Sequence, residues 1–258
     1  SITGVTFTRF RNDGLYLTAS SNNKISGNSF RLNGGAGLSV NALSNYNLIS
    51  NNQSQGNTAE GIINSSSSQN TYSGNNIQGN GTIGISSLSG SSRNNFSGNT
   101  ATDNPTAGIK FAGETRSTIV GNTIRGGGSN QYGIWITSSS SNNAISANNV
   151  YDTGGAGATN GIYVNIGSNN NITNNVVGDS SCNTTCYAVN IDHASSTNNY
   201  IASNNIDSGA SIRDIGTGTI LGGQVSTGGT FSIQNAASIG LSTSAQATTS
   251  DITISTGN

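Results

Sequence analysis

Five side chains near the middle of the chain have the chemistry of a binding or catalytic face: Lys110, Trp135, Tyr163, Asp192 and His193. Flat aromatic rings beside a shallow groove stack on sugar faces, and a lysine or histidine near a carboxylate can move a proton. Trp135, Tyr163 and Lys110 are therefore glycan-binding candidates, and a lyase or epimerase would place its base among Lys110, Asp192 and His193. A second set, Asp152, Asp179 and Asp207, recurs at nearly equal intervals. Three carboxylates brought to one edge suit a hard cation such as calcium, although aspartate also occupies turns for backbone reasons. Cys182 and Cys186 are the only cysteines. Their Cys-Asn-Thr-Thr-Cys spacing reads as a loop disulfide from an oxidising compartment, with a pair of reduced thiols as the alternative. A zinc site would need two more ligands, and the chain has one histidine.

Side chains so far apart in sequence need a repeat to position them. The motif Ile-x-x-Asn-x-(Ile/Val/Phe) recurs around Asn28, Asn75, Asn122, Asn148, Asn175 and Asn204, with weaker copies around Val5, Asn51 and Asn99. From Val5 the intervals are 23, 23, 24, 24, 23, 26, 27 and 29 residues. Between these copies lies a second motif, Gly-(Ile/Leu/Val)-x-(apolar), at Gly14, Gly37, Gly108, Gly133 and Gly161, which Ala188-Val189 continues. Both motifs alternate apolar and polar residues with period two between Gly, Asn and Ser, the grammar of short strands and turns, and helical periodicity is absent. The repeat is too short for a propeller blade, too long for a hexapeptide helix and too poor in leucine for a leucine-rich repeat.

The remaining solution coils the chain so that equivalent strands stack in parallel, about 4.8 Å apart. Ile25, Ile119, Ile145, Ile172 and Ile201 would then form one internal column, and Leu15, Leu38, Ile62, Ile85, Ile109, Ile134, Ile162 and Val189 another. Asn28, Asn51, Asn75, Asn99, Asn122, Asn148, Asn175 and Asn204 would form a ladder at a bend, each amide donating to one neighbouring rung and accepting from the other.

Composition narrows the function classes. The chain has 258 residues, 36 of them glycine, with one proline, 7% charged residues and net charge -1. Regularly spaced hydrophobic residues at 31% argue against disorder. Nine basic residues against ten acidic leave no basic stripe for phosphates, so no nucleic-acid partner is expected. No apolar run approaches the roughly 20 residues needed to cross a bilayer, so no membrane insertion is expected, and no charged-then-apolar leader precedes the first repeat. Ten acids scattered over this length rarely supply a titratable group with a positioned partner. An ice-binding rank of Thr-x-Thr is missing.

The two interleaved motifs resemble the repeats of the pectate-lyase-like parallel β-helix superfamily, whose members include NosD-like periplasmic proteins, alginate epimerases, phage tailspikes and bacterial adhesins. The likeness covers about residues 2 to 206. It implies an all-β, single-stranded right-handed parallel β-helix, a solenoid of about 9–11 coils with about 23–29 residues per coil. Residues 1–208 would form the regular helix, and 209–258 degenerate β-coils continuing or ending it. The Asn-Thr-Asp, Asp-Asp and Gly-His-Gly motifs of polygalacturonase-like members are not found, and Asp192-His193 is only a partial echo of the Asp-Pro-His-Asp of alginate epimerases. No catalytic residue is assigned and the chain is expected not to be an enzyme. No cofactor is expected, calcium remaining the one candidate.

The leading expectation is an extracellular or cell-surface structural or adhesive solenoid: a surface fibre, adhesin stalk or filament subunit. Neither end carries a capping helix or charged strand, so self-association through the solenoid ends, or continuation into a longer chain, is expected. The alternatives are a polysaccharide lyase or epimerase, and a non-catalytic module for surface polysaccharide.

Overall fold

The bends of the chain are set by residues held in the left-handed backbone region. Gly27, Gly74, Gly98 and Gly121 have φ of 60–65°, and Asn51, Ala147, Asn174 and Ser203 take the same place in their coils at 53–56°. Each is followed by a buried asparagine. The two residues turn the chain from the first sheet into the second with one side chain pointing inward, which is why Gly-Asn recurs in the sequence.

The computed structural model describes residues 1–126, 132–151, 153, 159–178, 186–206 and 210–223, together with the strands Val225–Ser226, Phe231–Gln234, Ser238–Ile239 and Ile252–Ser255. Strands pair in parallel with their equivalents one repeat before and after, those at the ends of each sheet on one side only, building three sheets of 11, 10 and 11 strands. The first runs from Ile2–Thr3 to Ser238–Ile239, the second from Thr6–Thr8 to Val225–Ser226, and the third from Leu15–Thr18 to Ile252–Ser255. The strands beyond residue 209 extend the same three sheets. There is no helix among the described residues.

Inward positions form continuous columns. In the first sheet Ile2, Ile25, Ile49, Tyr72, Phe96, Ile119, Ile145, Ile172 and Ile201 are register partners. In the third, Leu15, Leu38, Ile62, Ile85, Ile109, Ile134, Ile162 and Val189 follow one another as expected. Nearly all these side chains are fully buried in one cluster. Tyr72 and Phe96 stack with ring centres 4.8 Å apart. Each aliphatic side chain so buried contributes about 1.5–3 kcal/mol, and only neighbouring coils can supply the cover.

The glycine of the second motif answers to a close approach. At Gly133 a Cβ would lie 2.2 Å from Cγ1 of Val150 and 2.6 Å from the carbonyl oxygen of Gly161. The chain enters the third sheet directly beneath the wall of the second.

The asparagine ladder runs through Asn28, Asn52, Asn75, Asn99, Asn122, Asn148, Asn175 and Asn204. Each Oδ1 accepts the backbone N–H of the preceding asparagine at 2.8–3.0 Å, and each Nδ2 donates to a carbonyl of the preceding coil, as Asn122 does to Phe96 at 2.9 Å. Asn51 is the one expected member that stands outside. It is the exposed left-handed residue of its turn, and the adjoining Asn52 carries the ladder. Ile49, not Leu48, accordingly fills the core in that coil. Two further ladders line the other bends, Asn33 to Asn104 and Asn47 to Asn94. At the bends they line, these ladders satisfy backbone donors from within.

Candidate functional site

Strand register converts repeat positions into a face. On the outer surface of the third sheet Ser86, Lys110, Trp135, Tyr163, Asn190 and Arg213 are direct partners on successive strands. Beside them runs a second row, Ala107, Tyr132, Asn160 and Tyr187.

Trp135 and Tyr163 are neighbours, yet they do not form the bare pair of rings that their positions suggest. The Lys110 ammonium stands 3.9 Å from the centre of the Trp135 ring. Tyr132 packs against both rings, 4.9 Å from Trp135 and stacked at 4.5 Å on Tyr163. Tyr163 retains only 9% of its surface, so Tyr132 supplies the accessible aromatic face. The indole Nε1 of Trp135 is buried without an acceptor among the described residues. Burial lowers the Lys110 ammonium below the usual lysine range, against the pull of Glu60.

The polar groups are arranged around Asp192. The Tyr163 hydroxyl donates to Asp192 Oδ2 at 2.8 Å and accepts from Asn165 Nδ2 at 3.2 Å. Arg213 forms an ion pair with the other Asp192 oxygen and donates to Asn190 Oδ1 at 3.2 Å. Asn190 Nδ2 in turn donates to Asn160 Oδ1 at 2.7 Å. Burial, reinforced by the Asp192 carboxylate, pushes Tyr163 up to about 12, so its hydroxyl remains a donor at neutral pH. The Arg213 guanidinium also lies over the Tyr187 ring, 5.8 Å from its centre.

Between these residues opens a cleft of about 410 Å³ lined by Tyr132, Asn160, Tyr163, Tyr187, Asn190, Asp192 and Arg213. That is within the size range of small-ligand sites, with aromatic walls and a few fixed polar groups. The structure brings Asp192 to the face but leaves His193 at the following turn, where its Nδ1 accepts the Ser195 N–H at 3.0 Å. Asp152, Asp179 and Asp207, the candidate calcium edge, lie outside the described residues, as does Cys182. Among the described residues no group of three or more His, Cys, Asp or Glu could hold a metal ion. Cys186 is disulfide-bonded.

Tyr132, Asn160, Tyr187 and Arg213 are the site residues that motif reading passes over. The first three share one signal: each immediately precedes the Gly or Ala that opens the second motif, a place held elsewhere by Ala36, Glu60 and Ala107.

A family model described as a right-handed β-helix region matches residues 1–150 and 70–206. No match is found among curated proteins. Among solved structures the chain is similar to the Dettilon tailspike protein, at 16% identity and TM-score 0.58, over 86% of this chain and 55% of that one. It is also similar to a periplasmic alginate epimerase double mutant, at 14% identity and TM-score 0.64, over 88% of this chain and 69% of the other. A third likeness is to PfbA, a surface adhesin of Streptococcus pneumoniae, at 13% identity and TM-score 0.55, over 89% and 73% of the two chains. The chain spans little more than half the length of the tailspike. At these identities the likeness establishes the coil and leaves the chemistry to the residues on its surface.

Proposed function

Because the chain belongs to the right-handed β-helix family, whose common property is a coil and not a reaction, we propose that it is an extracellular structural or adhesive solenoid with a saccharide-binding face on its third sheet. The observation that carries this reading is that Asp192 and Lys110 are both held by neighbours on the face. Asp192 is held by Arg213 and Tyr163, and Lys110 is stacked on Trp135. Binding needs fixed donors and flat rings, and both line this cleft. Affinity electrophoresis in gels cast with neutral or acidic polysaccharide tests it: retardation without any rise in reducing or unsaturated ends is expected. Unretarded migration in every gel would contradict it.

A polysaccharide-active reading draws on one feature, the Asp192 carboxylate bordering the cleft, and on the likeness to an alginate epimerase. It requires turnover of uronate polymers that falls in Asp192→Asn, as well as in Lys110→Ala and His193→Ala if the base lies beside the cleft. Placement outside the cell is supported by the Cys186 disulfide, and by the adhesin and tailspike likenesses. No helix among the described residues is long and apolar enough to cross a membrane.

Association through coil edges is part of the proposal. In the first coil Val5 and Phe10 occupy ladder positions, 41% and 52% exposed, and their N–H groups already donate to Asn28 and Asn33. A further coil laid on this edge, from a second copy or from adjoining chain, would cover both. Sedimentation and electron microscopy of the wild type and Phe10→Ser test it, with concentration-dependent rods expected from the wild type alone.

A further inference from the structure

One column of the third bend departs from its repeat. Ser44 N–H donates to Ser67 Oγ at 3.1 Å, Ser67 N–H to Ser91 Oγ at 3.2 Å, and one coil beyond Ser91 the position is Glu114, whose N–H donates to Ser140 Oγ at 3.1 Å. Glu114 is fully buried. One carboxylate oxygen accepts from Ser87 Oγ, and the other from Ser117 Oγ and from Asn94 Nδ2 at 2.9 Å. The chain of bonds continues inward: Ser87 Oγ accepts from Asn64 Nδ2 at 2.8 Å, and Asn64 Oδ1 accepts from the Tyr72 hydroxyl at 2.7 Å.

Ser117 gives this cluster a second arrangement. Its Oγ lies 3.2 Å from the Thr115 carbonyl oxygen and accepts the Asn94 N–H at 2.8 Å. With Glu114 ionised, the Ser117 hydroxyl donates to the carboxylate. With Glu114 protonated, that hydroxyl can turn to the Thr115 carbonyl, and its oxygen accepts the carboxyl proton. Both states leave every donor paired, and neither requires a backbone shift.

We propose that Glu114 is a proton-binding element sealed inside the coil, with the Ser117 hydroxyl as its two-position partner. The one titratable side chain that faces it among the described residues is Tyr72; Arg93 and Arg116 stand exposed on the nearby turns. Burial raises the Glu114 carboxyl above the usual glutamate range, against the three side-chain donors that lower it. A carboxyl raised in the folded state contributes stability that is fully present below its unfolded value and is lost as pH climbs through the folded value. Glu114 therefore contributes more to stability in acid than above the ordinary glutamate range.

Infrared difference spectra of the full chain across pH read this directly. The wild type is expected to show the carbonyl stretch of a buried protonated carboxyl at a pH where free glutamate is ionised, and Glu114→Gln to lack it. Relative to Glu114→Gln, the wild-type thermal midpoint falls as pH rises above the ordinary glutamate range. Ser117→Ala removes a donor that favours the anion and moves the titration to higher pH, which decides the matter if Glu114→Gln does not fold. Equal pH dependence in wild type and Glu114→Gln, or a titration unmoved in Ser117→Ala, would overturn the proposal.

Discussion

The Lys110 ammonium lies 3.9 Å from the centre of the Trp135 ring, and the two residues are register partners on neighbouring strands. Trp135 is the only tryptophan of the chain, so its emission reports this contact without interference. In Lys110→Ala the ring loses its cover, and the emission moves to longer wavelength with stronger quenching by acrylamide. Lys110→Met keeps the cover without the charge and shifts the emission less. Stability changes by no more than about 1–2 kcal/mol, the scale of a single cation–π contact. Emission identical to wild type in both variants would show that Lys110 does not rest on the ring.

Asn122 and Asn51 separate the ladder from its turn. Asn122→Ala leaves the Asn99 N–H and the Phe96 carbonyl without their partners. Two unpaired buried groups cost about 2–5 kcal/mol. Asn51→Ala touches an exposed side chain in a left-handed turn and costs about 1 kcal/mol or less. Urea unfolding of both variants checks the contrast, and equal losses would place Asn51 in the ladder after all.

The same kind of contrast holds for glycine. Gly133→Ala drives a methyl into Val150 and the Gly161 carbonyl and destabilises by about 1–3 kcal/mol or more. A Cβ at Gly121 meets nothing within 4 Å, and Ala147 holds the equivalent place one coil on, so only the left-handed backbone opposes it. Gly121→Ala is expected to cost about 1 kcal/mol. Thermal midpoints rank the two.

Tyr163 sets an alkaline limit on the face. Its hydroxyl is raised from the ordinary tyrosine value to about 12, so its contribution is complete at and below the ordinary value and is lost as pH climbs through about 12. Tyr163→Phe removes that part of the pH dependence. A wild-type stability profile that falls no more steeply than the variant's in alkali would contradict the burial of this hydroxyl beside Asp192.

The fold was legible because stacking demands the same residue type at the same depth in every coil. The Leu15-to-Val189 column and the spacing of the asparagines follow from that demand alone. Asn51 misleads for a physical reason: in Asn51-Asn52 either residue satisfies the spacing, and only the rule that a left-handed residue comes first selects Asn52. Lys110, Trp135 and Tyr163 were visible at a fixed offset from the motif glycine. Tyr132 and Tyr187 were not, since the position before that glycine carries no constant type. Nor was the contact of Asp192 with Arg213, which joins neighbouring coils through side-chain reach rather than through register.

Saccharide-array binding by the wild type beside Tyr132→Ala and Arg213→Ala, with circular dichroism to show that the coil is intact, tests the saccharide-binding face itself. Glycan signals from the wild type are expected to fall at least tenfold in both variants. Signals that persist undiminished in folded variants, or an array on which the folded wild type binds nothing, would contradict a saccharide-binding face on the third sheet.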